Sequence, residues 1–210
     1  MYGHLDPSDH HRVWDDFDTF TAGSWTATIT GTGTTALTAG DGGLIASATT
    51  GASGDANYLQ KTTEGFSFEA GKPMWFKARL KTSLLSTVIV VGLQVTDTTP
   101  EDVTDGVYFL STVTTGALTL YVRKDATTGS TTASAGTLVA DTFTELAWYY
   151  DGKGNVEAFQ DGVKVATVTG VTSSTYLPDA TTTISFGIRT TTAAVKTLTI
   201  DYLFAAKARR

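Results

Sequence analysis

A chain of 210 residues, 41% of them hydrophobic, is long enough to bury a core, and a length of about 200 residues is ordinary for one all-β domain. Its 21 acidic residues outnumber 15 basic ones for a net charge of −6, which speaks against nucleic acid as a partner, because a phosphate backbone calls for a basic face. Zero cysteines exclude disulfides, thiolate metal sites and thiol catalysis, and fit a protein made in a reducing cytosol. Threonine makes up about a fifth of the chain; with Val, Ile, Tyr and Phe it favours strands, and no long helical pattern appears.

Residues 1–24 are polar, hold His4, His10 and His11, and carry five aspartates. They read as an N-terminal arm outside a sandwich that starts at Trp25. No basic-then-apolar signal pattern opens the segment, so the expectation is a soluble chain not exported by a signal peptide. Within the arm, "RVWDDFDTF" places Arg12, Val13, Trp14, Phe17 and Phe20 in a stretch with no evident core of its own. These five are the expected contacts to a second subunit or to a larger assembly, where aromatic anchors dominate binding energy. The alternative is a strand that closes the sandwich.

From Trp25 onward strand-like runs follow at the spacing of a β-sandwich: "WTATITGT", "GLIASAT", "NYLQKT", "GFSFEA", "PMWFKARLK", "STVIVVGLQVTD", "GVYFLST", "ALTLYVRK", "TFTELAWYY", "VEAFQ", "VKVATV", "TISFGIRT" and "KTLTIDYLFAA". In "MWFKARLK", Trp75, Lys77, Arg79 and Lys81 alternate with Met74, Phe76, Ala78 and Leu80, giving one wet face. "TVIVVGLQV" is apolar on both faces and predicts a central strand; the run at 84–95 is too short and interrupted to span a bilayer. Asp161-Gly162, between "VEAFQ" and "VKVATV", predicts a two-residue type I′ hairpin. That turn sets Phe159 opposite Lys164, Ala158 opposite Val165 and Glu157 opposite Ala166. The loop Asp151 to Asn155 joins this hairpin to "TFTELAWYY" in a three-strand meander, so its aspartates shape turns and do no chemistry.

The succession "KPMWFKARLK", "IVVGLQVTDTTPEDVTDGVYF", "LAWYYDGKGNVEAFQDGVKVATV" and "KTLTIDYLFAAKAR" resembles the concanavalin A-like jelly roll, an all-β fold of two antiparallel sheets packed face to face, over roughly residues 55 to 208. More narrowly it is similar to structural proteins of tailed bacteriophages that decorate or cement the capsid. That resemblance implies a non-enzymatic virion protein on the outer capsid surface, made in the host cytoplasm, with the major capsid protein and its own copies as partners and a trimer as the expected assembly. It implies no cofactor, no nucleic acid and no membrane.

Other members of the wider fold bind or cleave glycans, and the residues bear on each option. Jelly-roll hydrolases carry their acids as Glu-x-Asp-x-Glu on one strand; here Glu64, Glu69, Glu145 and Glu157 are scattered, Asp15, Asp16 and Asp18 lie in the arm, and no Gly-x-Ser-x-Gly elbow or sandwich histidine appears. No catalytic or metal-binding residue is expected. His4, His10 and His11 with Asp6 or Asp9 lack ordered zinc spacing. For calcium, Asp97, Glu101, Asp102 and Asp105, or Asp41, read first as loop residues. The alternative function is a carbohydrate-binding module, with Trp25, Trp75, Trp148, Tyr149, Tyr150 and Tyr176 as its ring supply; Trp75 and Trp148 are expected in the core.

Overall fold

The computed structural model describes residues 8–40, 42–63, 65–111, 115–128 and 133–210. Strands follow in chain order: β1 (His10–Asp15), β2 (Trp25–Thr30), β3 (Thr34–Thr38), β4 (Leu44–Ala48), β5 (Ala56–Lys61), β6 (Met74–Thr82), β7 (Thr87–Gln94), β8 (Gly106–Ser111), β9 (Ala117–Lys124), β10 (Thr127–Thr128), β11 (Ala133–Thr137), β12 (Thr144–Tyr150), β13 (Asn155–Gln160), β14 (Val163–Thr169), β15 (Thr183–Thr190) and β16 (Thr197–Ala208). They form two antiparallel sheets. The first runs β14-β13-β12-β6-β16-β4-β3 with β1 also on β16, and the second runs β10-β9-β8-β7-β15-β5-β2 with β11 on β9. Among the described residues no helix is long and apolar enough to cross a membrane.

Period-two alternation builds the core. In β6, Met74, Phe76, Ala78 and Leu80 are buried while Trp75, Lys77 and Arg79 are only partly so. Ile89, Val91, Leu93, Phe109, Ile184 and Phe186 answer from the second sheet. Phe76 and Trp148 stack at 5.8 Å. β7 is buried on both faces and lies between β15 and β8, as its unbroken apolar run requires. "GFSFEA" is not a strand: only Phe66 makes a bridge, to Thr182, and its ring and that of Phe68 fill the core from a loop.

The break expected between an arm at 1–24 and a sandwich at 25–210 is not where the fold divides. β16 is twelve residues long, and β4 pairs only with Thr197 to Ile200 along one of its edges. The backbone from Leu203 to Ala208 needs another partner, and β1 supplies it over six residues from His10↔Ala208 to Asp15↔Leu203. After β1 the chain reverses at Phe17, with φ of 51° and its N–H donating to Asp15 Oδ1 at 3.2 Å. That left-handed conformation is uncommon for a bulky residue. It lowers the Phe17 ring into the core, 1% exposed and edge-on to Phe186 at 6.3 Å.

The β12-β13-β14 meander forms as the turn residues dictate. Asp161 and Gly162 have φ of 50° and 78°, and Asp161 exchanges hydrogen bonds with the Glu145 backbone, both at 2.8 Å. Phe159 faces Lys164, but Ala158 faces Ala166 and Glu157 faces Thr167, one residue beyond the expected register. A bulge at Val165 causes the shift. It turns Val165 outward and sets Ala166 and Val168 against the core.

Candidate aromatic ligand face

The outer face of the first sheet gathers aromatic and charged side chains from five adjacent strands. Across β1, β16, β6, β12 and β13, Trp14 pairs with Phe204, Phe204 with Lys77, Lys77 with Ala147, and Ala147 with Phe159. Four strand spacings make that row roughly 19 Å long. In the neighbouring row Arg12 pairs with Ala206, Ala206 with Trp75, and Trp75 with Tyr149. Trp14 is 56% exposed. Its ring stacks on Tyr202 at 5.2 Å and meets Phe204 at 6.2 Å. Trp75 and Tyr149 stack at 5.3 Å, with His10 against Trp75 at 5.8 Å.

A second bulge prepares this face. The β16–β6 register skips Asp201 between Ile200↔Leu80 and Tyr202↔Arg79, so Asp201 and Tyr202 both serve the outer side. The Arg79 guanidinium binds Asp201, and the Lys77 ammonium lies 2.8 Å from Glu145. Tyr202 donates its hydroxyl to Glu145. Burial alone would raise the Glu145 carboxyl, but the Lys77 and Tyr202 hydrogen bonds and the Lys77 and Arg79 charges more than reverse that, holding it below its usual range. Burial and the carboxylates of Asp18, Asp201 and Asp15 hold Asp16, at the edge of this face, above its usual range. Rings that can lie against a sugar face thus alternate with fixed charges that can hydrogen-bond hydroxyls.

The outer face of the second sheet is partly covered by the chain itself. Residues 95–105 lie over it, and Val103 joins Tyr58, Val88, Val90, Tyr108 and Leu110 in a second apolar cluster. Arg189 grips Glu101 with two hydrogen bonds of 2.7 Å, and Tyr58 donates to the same carboxylate. Arg123 binds Asp102 at 2.6 Å. Glu101 and Asp102 are therefore loop anchors, while Asp97 caps its own turn through the Thr99 N–H at 2.7 Å. Asp105 of that stretch meets other carboxylates: Asp105, Asp125 and Asp179 have carboxylate oxygens within 4.8 Å of one another. The Asp179 N–H donates to Asp105 at 3.3 Å, and Lys124 pairs with Asp179 at 2.9 Å. Asp41, like His4 and Asp6, lies outside the described residues.

The five expected contact residues do not form one surface. Arg12 and Trp14 point outward, whereas Val13 and Phe20 pack against the core and Phe17 lies inside it. His10 and His11 are in the sandwich after all, on β1, and successive strand residues face opposite ways: His10 meets Trp75, and His11 meets Phe66 at 4.8 Å. Trp148 is in the core as expected, but Trp75 is on the outer face. Sequence reasoning passed over Tyr202 and Phe204, although their alternation with Leu203 and Ala205 carries the signal.

No family model matches the chain, and no curated protein matches it. Solved structures do. Endo-1,3-beta-glucanase from Streptomyces sioyaensis is similar with a TM-score of 0.66 at 12% identity, covering 96% of this chain and 97% of that one. The Emp47p carbohydrate recognition domain gives 0.62 at 13%, covering 97% and 98%. The fold is a concanavalin A-like jelly roll. A protein of unknown function from Shewanella oneidensis MR-1 shares this jelly roll with a TM-score of 0.66 at 15% identity, over 95% of this chain and 87% of that one. At such identities the likeness extends to the fold alone, and jelly rolls of both binding and hydrolytic proteins are among the neighbours.

Proposed function

We propose that the protein is a non-catalytic carbohydrate-binding module that holds an extended glycan on the outer face of its first sheet. The observation that carries this reading is the pair of ring stacks, Trp14 with Tyr202 and Trp75 with Tyr149, set side by side on neighbouring strands beside fixed Lys77–Glu145 and Arg79–Asp201 pairs. Apolar rings give sugar faces a dry surface, and the ion pairs present oriented donors and acceptors without reorganisation. The carbohydrate recognition domain among the structural neighbours adds support at the level of fold. Glu145 and Asp201 are both engaged by cations, which speaks against their serving as the protonated acid a glycosidase needs for its leaving group. Asp16, held above its usual range, is the acid that a turnover assay has to address. Retardation of the native protein in gels cast with a panel of polysaccharides, run beside a reducing-sugar assay, tests both halves. Retardation without sugar release is expected. Turnover abolished by Asp16→Asn or Glu145→Gln would make the face an active site.

Exposure of Trp14 on the edge strand β1 favours a second reading, in which the same face docks on protein. The docking partner is then the major capsid protein of a phage, with the chain as a trimeric decoration protein on the outer virion surface, stabilising the shell by mass action. Co-sedimentation with assembled particles that Trp14→Ala abolishes, in a protein retarded by no polysaccharide, would favour this reading over the first.

A further inference from the structure

At the end of the sandwich where β1 begins and β16 finishes, an open pocket of about 450 Å³ is lined by His11, Gly65, Lys72, Lys207, Ala208 and Arg209. That volume falls within the roughly 300–1,000 Å³ of small-molecule sites. It lies on the opposite side of β1 from the aromatic face, because His11 points away from His10, which meets Trp75. Its charge runs against the whole chain: three cations line it in a protein of net charge −6.

Glu69 is the carboxylate that answers them. It accepts from Lys207 and lies 3.0 Å from Lys72, and Lys207 also donates to Ser67 Oγ at 3.0 Å. Among the described residues, one carboxylate against Lys72, Lys207 and Arg209 leaves two positive charges in excess. The neighbouring Arg210 spends its charge on Asp9 at 3.3 Å. The Lys207 ammonium is fixed in place, its side chain only 11% exposed, and the Arg209 backbone is pinned by its N–H to Asp9 O at 2.7 Å. Gly65 keeps the imidazole edge open, for a Cβ there would stand 3.3 Å from His11 Nε2.

We infer that this pocket binds an oxyanion, the carboxylate, sulfate or phosphate group of a small ligand, between Arg209, Lys72, Lys207 and the His11 ring. Guanidinium and ammonium donors make charge-assisted hydrogen bonds to such groups, and little side-chain freedom remains for Lys207 to lose. The imidazole already senses the local field: burial first, then the charges of Arg209 and Lys207, hold His11 below its usual range. Among the described residues, the groups around it are Lys207 at the end of β16, Arg209 just beyond that strand, Lys72 and Glu69 from the segment before β6, and the Phe66 ring. A bound anion offsets those positive charges, so it raises the His11 pKa and binds more tightly as the pH falls.

The test is a histidine and amide NMR titration of the full chain at low ionic strength with sodium sulfate, sodium glucuronate and glucose. Saturable shifts at His11 and Gly65 with an anion, an upward move of the His11 pKa, and silence with glucose are expected. Arg209→Ala, an exposed change that spares the fold, should weaken binding on the order of tenfold. Tighter glucuronate than sulfate identifies an acid carried on a sugar, and the reverse identifies a free inorganic ion. No saturable shift with either anion, or shifts unchanged in an Arg209→Ala, Lys72→Ala double variant, would overturn the site. Trp75→Ala should leave the titration intact, so the pocket and the aromatic face succeed or fail separately.

Discussion

Replacing Phe17 with alanine separates a core strand from a loose arm. The ring is 1% exposed, set between Trp25 at 6.5 Å and Phe186 at 6.3 Å. Phenylalanine-to-alanine changes in cores cost about 3–5 kcal/mol. Here the walls are held by the β1–β16 ladder and by Gly43, where even a Cβ would stand 2.3 Å from the Phe17 carbonyl oxygen. Collapse into the cavity is therefore limited, and a loss of about 4 kcal/mol is expected. The φ of 51° burdens alanine as it does phenylalanine and returns nothing. For a chain of this size the melting temperature should fall by about 8–16 °C, at roughly 2–4 °C per kcal/mol. Trp14→Ala, three residues away but 56% exposed, should cost about 1 kcal/mol or less. Urea unfolding followed by circular dichroism measures both. Equal, small losses for the two variants would mean that residues 10–20 are dispensable to the sandwich, and the strand assignment would fall.

Gly162→Val places a β-branched residue at φ of 78° and should destabilise by roughly 1–2 kcal/mol, read as a lowered urea midpoint. Glu101→Ala leaves the Arg189 guanidinium and Tyr58 hydroxyl without their shared acceptor; a loss of about 2–3 kcal/mol and faster amide exchange confined to residues 95–105 and their contacts are expected. The Lys207 and Lys72 hydrogen bonds hold Glu69 at about 2, below its ordinary 4.5. Its contribution is therefore complete above about pH 4.5 and lost as the pH falls toward 2. Glu69→Gln should flatten the acid loss of stability within that window and leave the slope above it unchanged.

Period-two alternation made most of the sandwich legible, because a strand with one buried face writes its pattern in every second residue, as β6 does. Asp161-Gly162 was equally legible, since the backbone angles of a two-residue hairpin admit few residue pairs. The bulges at Val165 and Asp201 were not: an inserted residue changes register without changing composition. β1 was hidden for another reason. "HHRVWD" pairs with the far end of the chain, and its need for a partner arises only because β4 reaches no further along β16 than Ile200. Trp75 was readable and misjudged. Its alternation with Met74 and Phe76 put it on the wet face, but the general tendency of large rings to fill cores outweighed that local evidence. The stacks that make up the candidate site join strands distant in sequence, so only the sheet order brings Trp14 to Tyr202 and Trp75 to Tyr149.

Calorimetric titration of the native protein with the polysaccharide that retards it most, repeated with Trp14→Ala and Trp75→Ala, addresses the aromatic face most directly. Saturable binding that each variant weakens by about tenfold, from the loss of roughly 1–2 kcal/mol of ring contact, with melting temperatures close to the parent, is the result expected. Binding unchanged in both variants, or no saturable binding to any glycan, would contradict the assignment of this face to carbohydrate.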